Sequence, residues 1–180
     1  TRKDQDKFAI NSQMKAIKAI EENKFKDEII PVQLKDQKFF DKDEYPRADT
    51  NLEKLSDLKT VFKKNGTVTA GNASGLNDGA AALTLMNYKT ALEKDLIPIV
   101  RIVSWAQCGV DPKLMGTGPI PSSRLALKKA GWNISELELI ESNEAFAAQS
   151  IAVVNELGLN EKIVNVNGGA IALGHPIGAS

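Results

Sequence analysis

A single cysteine, Cys108, and a single histidine, His175, occur among the 180 residues of this chain. One cysteine excludes an intrachain disulfide and a zinc site built from several cysteines, so we expect a reducing, cytoplasmic location and no metal site. The 23 basic and 23 acidic residues leave no net charge. Because the chain has no overall field to attract nucleic acid or an anionic membrane, neither is expected as a partner. A charged ligand has to be bound by local groups.

Long apolar runs are also lacking. No stretch approaches the roughly 20 residues that a membrane-spanning helix needs. The charged opening Thr1-Arg2-Lys3-Asp4 is unlike a signal peptide. With 42% hydrophobic residues, the chain can nevertheless bury a sizeable core.

Three common catalytic motifs have no full match. Gly169-x-x-x-x-Gly174 has the spacing of a phosphate loop, but His175-Pro176 stands where lysine and serine or threonine are required. The dinucleotide fingerprint Gly-x-Gly-x-x-Gly is absent, which leaves dinucleotide oxidoreduction without support. The nucleophile elbow Gly-x-Ser-x-Gly is absent too, although a Ser-His-Asp hydrolase using His175 stays conceivable.

Helical spacing predicts two helices near the start. Thr1-x-x-Asp4 is a weak capping box for a helix over residues 4–23, interpreted as surface scaffolding. Its predicted apolar face carries Ile10, Met14 and Ile17. Thr50-x-x-Glu53 is expected to cap a second helix. The apolar positions of that helix, which indicate core packing, are Leu52, Leu55, Leu58 and Phe62.

The rest of the chain alternates between strand and helix patterns. An edge strand confined by Pro31 is predicted at residues 28–34, followed by a polar loop over residues 35–49. Asn87 can cap a helix from Tyr88, and Gly131 and Gly158 are expected to end two more helices. Those two helices are predicted at residues 121–130 and 145–157, and further strands at residues 80–86, 97–105, 137–140 and 163–166. This alternation predicts a layered α/β fold.

Two polar segments stand out as candidate chemistry. Four glycines surround His175 in the last fourteen residues, Asn167-Gly168-Gly169-Ala170-Ile171-Ala172-Leu173-Gly174-His175-Pro176-Ile177-Gly178-Ala179-Ser180. Glycine permits close backbone approach, so His175 is a candidate acid or base at a tight turn. Asn143, in Asn143-Glu144-Ala145-Phe146-Ala147, lies where a predicted strand hands over to a helix. Asn143 is therefore either a helix cap or a polar group pointing into a cleft.

These two segments together resemble the thiolase family, specifically its acetyl-CoA acetyltransferase type. The resemblance continues, in the same order along the chain, through Thr67-Val68-Thr69-Ala70-Gly71-Asn72-Ala73-Ser74-Gly75-Leu76-Asn77-Asp78-Gly79-Ala80 and Met115-Gly116-Thr117-Gly118-Pro119. It implies an incomplete thiolase-like α/β/α fold preceded by part of an α+β loop domain. The implied divisions are residues 1–76 for the loop domain, 77–97 for the end of the N-terminal domain and 98–180 for a truncated C-terminal domain.

The resemblance also implies roles for particular residues. The catalytic pair would be Asn143 and His175, with Asn143 holding a water in the oxyanion hole and His175 serving that hole and thiolate formation. The implied coenzyme-binding and acyl-pocket residues are Arg47, Phe62, Ala70, Ser74, Met115 and Phe146. No cofactor is implied beyond coenzyme A thioesters, which are the substrates.

The two catalytic cysteines of the family have no counterpart in residues 1–180, and we interpret Cys108 as structural. The resemblance thus predicts an enzyme that converts two acetyl-CoA to acetoacetyl-CoA and coenzyme A, in lipid metabolism, as a homo-oligomer. Residues 1–180 alone are expected to be inactive. A thiolase for longer 3-ketoacyl-CoA substrates and a non-catalytic coenzyme A-binding or oligomer-forming module remain the alternatives.

Overall fold

Helices dominate the structure. The computed structural model describes residues 1–180 and contains six α-helices, a two-stranded sheet and three 3-10 helices. The α-helices are α1 (Arg2–Glu21), α2 (Leu52–Ser56), α3 (Tyr88–Glu93), α4 (Pro119–Ala130), α5 (Ala147–Leu157) and α6 (Ala170–Leu173). The 3-10 helices are Pro112–Thr117, Ile134–Glu136 and Glu161–Ile163. Strands β1 (Val32–Gln33) and β2 (Phe39–Phe40) pair antiparallel.

Helix α1 lies at the centre of the packing. Its N-terminus has the predicted capping box, in which the Thr1 hydroxyl accepts from the Asp4 amide and the Asp4 carboxylate accepts from the Thr1 amine. Helix α1 packs against α2, α5 and α6. A core cluster of Ala9, Leu55, Ala147 and Ile171 takes one residue from each of these four helices. The prediction of a surface scaffold was therefore wrong.

The buried face of α1 also differs from the predicted apolar stripe. Ala9, Ser12 and Ala16 are buried, whereas Met14 is 64% exposed and Ile17 is half-buried. The reason is a close approach of backbone. A Cβ on Gly168 would lie 2.7 Å from the Ala16 Cβ and 2.8 Å from the Ser12 carbonyl oxygen. Larger side chains at positions 12 and 16 would keep the segment that contains Gly168 away from α1.

Helix α2 is shorter than predicted. Its cap is Asn51, whose side chain accepts from the Lys54 amide, and not Thr50. Only Leu55 of the predicted stripe is buried, and Phe62 lies beyond the helix and is 74% exposed.

Near the start of the chain, the predicted strand at residues 28–34 is shortened to β1. This strand pairs with β2, which lies inside the segment predicted as a loop.

The other predicted strands form almost no ladders. Residues 80–86 and 97–105 carry no helix or strand, and apolar side chains such as Leu83 and Ile99 are exposed. A strand needs a neighbouring backbone to satisfy its amides and carbonyls, and no other part of residues 1–180 lies beside these segments in that way. The predicted strands at 137–140 and 163–166 do meet, through one parallel bridge between Ile140 and Val164.

Three helix boundaries agree with the sequence. Asn87 caps α3 by accepting from the Lys89 amide. Gly131 and Gly158 follow α4 and α5 in the left-handed conformation that favours glycine after a helix. None of the helices combines the length and the apolar character needed to cross a bilayer.

We predict that Gly168→Ala destabilises the fold more than Gly131→Ala. Both residues have positive φ, 84° and 72°, so alanine is strained at either site by about 1–2 kcal/mol. Only Gly168 also contacts α1, while nothing lies within 4 Å of a Cβ on Gly131. Overpacking should add roughly 1–3 kcal/mol at Gly168. Urea denaturation of the two variants checks this, and equal losses of unfolding free energy would contradict the close approach.

Candidate active site

The side chains of Asn143 and His175 lie together. Asn143 Nδ2 is 3.2 Å from His175 Nε2, although 32 residues separate them in sequence. Asn143 is exposed and His175 is half-buried, so both can be reached from solvent. The structure therefore brings together the two residues that the sequence predicted as the catalytic pair.

Neighbouring backbone fixes the position of His175. The His175 amide donates to Asn77 Oδ1 at 3.0 Å, and His175 forms a parallel bridge with Leu76. The preceding residue, Gly174, has φ +92°, and a Cβ there would lie 2.6 Å from the Asn77 side chain. The segment that contains Asn77 is thus held against the glycine-rich segment that carries His175.

The second ring nitrogen of His175 faces Ser180. Nδ1 lies 3.0 Å from Ser180 Oγ. An amide nitrogen can only donate, so the Asn143 contact makes Nε2 an acceptor, and the proton of the neutral ring is then on Nδ1, which donates to Ser180. Nε2 therefore has no proton, and its lone pair faces Asn143. A general base needs such an unprotonated nitrogen. Sequence reasoning missed Ser180, which lies five residues after the histidine in the same glycine-rich run.

Asn143 is not a helix cap. The N-cap of α5 is Phe146, three residues later, and no side chain caps that end. An antiparallel bridge between Ala73 and Phe146 holds the segment instead, with the Ser74 amide donating to the Ala145 carbonyl at 3.1 Å. The residues just after Asn143 therefore behave as extended chain, which frees its side chain for His175.

Several predicted coenzyme-binding residues surround this bridge. The Ser74 hydroxyl donates to the Ala145 carbonyl at 3.2 Å and keeps acceptor capacity for a ligand. Phe62 and Phe146 form an edge-to-face pair with ring centroids 6.0 Å apart. Ala70 is exposed in the turn that leads to Ser74, next to the buried Thr69.

Arg47 lies against α1. Its amide donates to Gln13 Oε1 at 2.8 Å, and its guanidinium forms no ion pair within the chain. Arg47 lines a cavity of about 560 Å³ together with Lys15 and Lys18. The structure gives no direct contact between Arg47 and Asn143 or His175.

Met115 borders a second cavity, of about 750 Å³, together with Asn143 and Phe146. Most of this cavity extends between α4, α5 and residues 101–104 and is lined by apolar side chains. It is far larger than an acetyl group, so only the end beside Asn143, Met115 and Phe146 fits an acyl pocket. Gly116 packs on Gln149 and holds the Met115 turn against α5.

Two acidic residues flank Asn143 closely. Glu144 is 3% exposed. Sequence reasoning missed this residue because, in the motif that contains both residues, only Asn143 stood out as a candidate functional group. Glu141, on the wall of the larger cavity, is exposed. Loss of hydration on the cavity wall, and secondarily the neighbouring Glu144 charge, raises the pKa of the Glu141 carboxyl.

Comparison with known proteins places this geometry in a family. The family models for the thiolase N-terminal domain and the thiolase C-terminal domain match residues 1–89 and 96–180. The chain is 57% identical to the acetyl-CoA acetyltransferase of Rhizobium meliloti and 54% identical to that of Escherichia coli. These matches include 100% of this chain but 47% and 46% of the relatives, so the chain spans about half the length of the curated relatives it matches.

Solved structures agree with the sequence matches. The Bacillus anthracis acetyl-CoA acetyltransferase superimposes with a TM-score of 0.93 at 52% identity, over 99% of this chain and 46% of that one. Human mitochondrial 3-ketoacyl-CoA thiolase in complex with CoA gives 0.90 at 44% identity, over 100% of this chain and 45% of that one. They confirm the predicted α/β class as a partial thiolase fold, while the finer division at residues 76 and 97 stays a prediction. This chain belongs to the thiolase family.

Proposed function

We propose that this chain is the part of an acetyl-CoA acetyltransferase that binds the coenzyme and stabilises the oxyanion. The reaction is the reversible condensation of two acetyl-CoA to acetoacetyl-CoA and coenzyme A. The observation that carries the proposal is the 3.2 Å contact between Asn143 Nδ2 and His175 Nε2. A thioester enolate needs hydrogen-bond donors at its oxygen. Asn143, through a water that it holds, and His175, once Nε2 is protonated, would each supply one.

The proton chemistry follows from the ring nitrogens of His175. With Nε2 unprotonated, His175 accepts the proton of a cysteine thiol, which is mostly protonated near neutral pH because its ordinary pKa is about 8.5. The resulting Nε2–H no longer accepts from Asn143 Nδ2, and it donates to a developing oxyanion instead. Nδ1–H stays bonded to Ser180 throughout. We assign the acyl-accepting thiolate to a cysteine other than Cys108, in agreement with the family resemblance.

Binding of the coenzyme A thioester is assigned to the remaining predicted residues. The unpaired guanidinium of Arg47 suits a phosphate, and the exposed Phe62 and Ala70 suit the pantetheine arm. The Ser74 hydroxyl can accept from a pantetheine amide while it donates to Ala145. Met115 and Phe146 wall the acyl end. No cofactor beyond the thioester substrates is needed for this chemistry.

The acetyl type is favoured over thiolases for longer chains. Relatives named acetyl-CoA acetyltransferase reach 57% identity, compared with 44% for the 3-ketoacyl-CoA thiolase structure. We further propose a cytoplasmic homo-oligomer that acts in lipid metabolism. Apolar side chains of residues 80–86 and 97–105, such as Leu83, Ile97 and Ile99, are exposed and available for packing against further polypeptide.

A chimera tests the function. Residues 1–180 would replace the matching segment of the Rhizobium meliloti acetyl-CoA acetyltransferase, to which they are 57% identical. We expect the chimera to condense acetyl-CoA, with acetoacetyl-CoA formation as the assay. A folded chimera without activity would refute the proposed function and favour the non-catalytic coenzyme A-binding alternative.

In this chimera, we predict that His175→Ala and Asn143→Ala damage different steps. His175→Ala should slow both acylation and condensation, because His175 serves thiolate formation and the oxyanion. Asn143→Ala should lower condensation by roughly 10²- to 10³-fold and leave alkylation of the nucleophile by iodoacetamide nearly unchanged. Rates of alkylation and of condensation are measured for both variants. Full condensation activity in Asn143→Ala would refute the oxyanion role.

Substitution of Ser74 or Arg47 is predicted to weaken coenzyme binding. Their contacts should be alike in the ground and transition states, so Ser74→Ala and Arg47→Ala should raise KM for acetyl-CoA with little change in kcat. Ser122→Ala removes a similar hydroxyl-to-carbonyl hydrogen bond within α4 and serves as the control for Ser74. Lys26→Ala removes an exposed cation and is the control for Arg47. A large loss of kcat at unchanged KM would show that these residues have another role.

Ser180→Ala should slow thiolate formation moderately. Loss of the hydrogen bond from Nδ1 to Ser180 leaves the imidazole ring less firmly oriented. A hydrogen bond stabilises by about 0.5–1.5 kcal/mol net, which corresponds to a roughly 2- to 10-fold change in rate. Ser180→Thr keeps the hydroxyl and should restore the rate. Iodoacetamide alkylation as a function of pH measures the effect. Equal rates in Ser180→Ala and the unsubstituted chimera would contradict this orientation of the ring.

A further inference from the structure

Glu144 is a buried carboxylate without a cationic partner. Its Oε2 accepts from Ser12 Oγ at 2.6 Å and from the Ile171 amide at 3.2 Å, and its Oε1 accepts from Asn165 Nδ2 at 2.9 Å. None of the ion pairs in the chain includes Glu144. Both oxygens therefore depend on neutral hydrogen-bond donors. The proposed mechanism uses none of these groups.

The donors extend the network into three separate segments. Ser12 belongs to α1, and its hydroxyl also accepts from the Gly169 amide at 3.1 Å. Asn165 is bound to Ser142 in both directions: its Oδ1 accepts from the Ser142 amide at 2.7 Å and its Nδ2 donates to the Ser142 carbonyl at 2.8 Å. The Ile171 amide belongs to α6. Glu144 thus links α1, the segment with Ser142 and the segment with α6.

The positions of Asn143 and His175 follow from these links. Asn143 lies between Ser142 and Glu144, and both neighbours are anchored in the network. His175 follows α6, whose first turn is bound to the Glu144 carboxylate, by two residues. The fit is close, because a Cβ on Gly169 would collide with that carboxylate. The Glu144 carboxylate therefore fixes the backbone segments from which the side chains of Asn143 and His175 extend.

The hydrogen-bond directions make both oxygens of the Glu144 carboxyl group acceptors. The Ile171 amide and Asn165 Nδ2 can only donate, and Ser12 Oγ already accepts from Gly169, so its proton is directed at Glu144. A glutamine at position 144 would direct its NH2 group at one of these donors. That mismatch would leave buried donors unpaired and allow the two anchored segments to separate.

We propose that Glu144 is a positioning residue that sets the distance between Asn143 and His175 through the hydrogen bonds that its carboxylate accepts. The proposal rests on the proposed function for its kinetic consequences, but the positioning itself is a statement about geometry. Removal of the charge should therefore affect the catalytic step more than substrate binding. The effect should also depend on the presence of Asn143.

The test compares Glu144→Gln with Glu138→Gln in the chimera with the Rhizobium meliloti protein. Both changes neutralise a carboxylate in the same part of the chain, but Glu138 is exposed and has no part in the network. We expect Glu144→Gln to lower kcat for condensation roughly 10- to 100-fold, with KM for acetyl-CoA changed less than about threefold. Glu138→Gln should retain the parent kcat. An unchanged kcat in folded Glu144→Gln would overturn the proposal.

A double-substitution cycle separates positioning from general stability. If Glu144 acts through Asn143 and His175, Glu144→Gln should add little to the loss already caused by Asn143→Ala. Full multiplication of the two losses would overturn the proposal. Should Glu144→Gln not fold, Ser12→Ala removes one donor to the same carboxylate, and it is expected to lower kcat at unchanged KM. Parent kcat in Ser12→Ala would again refute the positioning role.

A structural readout keeps this inference distinct from the proposed function. An inactive parent chimera would refute the function only. The crystal structure of the Glu144→Gln chimera, or of the Ser12→Ala chimera, would still report the separation of Asn143 Nδ2 and His175 Nε2. We expect this contact to be lost in the variant and kept in Glu138→Gln. A variant that keeps the 3.2 Å contact would overturn the inference.

Discussion

The close packing of Gly168 and Gly169 against α1 is the constraint on which the rest of the structure depends. Ala16 and Ser12 present small side chains there, and a Cβ on Gly168 would lie under 3 Å from both residues. This approach brings the Gly169 amide within 3.1 Å of the Ser12 hydroxyl. These contacts set the position of the residues that follow Gly169, including α6 and His175, relative to α1.

Such an approach buries polar groups, and the structure satisfies them with a connected network. Glu144, Asn165 and Ser12 are each at most 3% exposed, and each has hydrogen-bond partners inside the chain. Asn165 has φ 45°, a conformation that asparagine tolerates better than most residues. Because an unpaired buried carboxylate or amide is expensive, the network specifies one arrangement of these segments. Asn143 and His175 lie at the edge of this fixed interior, where solvent can reach both side chains.

A second polar cluster does the same for the turn that leads to Ser74. Asn72 is fully buried, and its Nδ2 donates to Asp6 on α1 at 2.8 Å while its carbonyl accepts from the Ala147 amide at 2.9 Å. Asp6 also pairs with Arg2 at 2.8 Å. Helix α1 thereby holds both the turn that leads to Ser74 and the start of α5. This explains why a helix with few large apolar residues occupies the centre of the fold.

The sequence alone determined the family and the helix ends at Gly131 and Gly158, and it pointed to Asn143 and His175 as candidates for a catalytic pair, because these depend on local motifs and on local backbone conformation. It could not reveal which face of α1 is buried, since that face is chosen by the approach of Gly168, some 150 residues away in sequence. It also predicted strands at residues 80–86 and 97–105 from apolar patterns, whereas ladders form only where a partner backbone is present. Only the tertiary structure decided that Asn143 contacts His175 and does not cap α5. It also decided that Glu144 and Ser180 belong to the same arrangement. These contacts depend on which segments meet in space, and that cannot be read from the sequence.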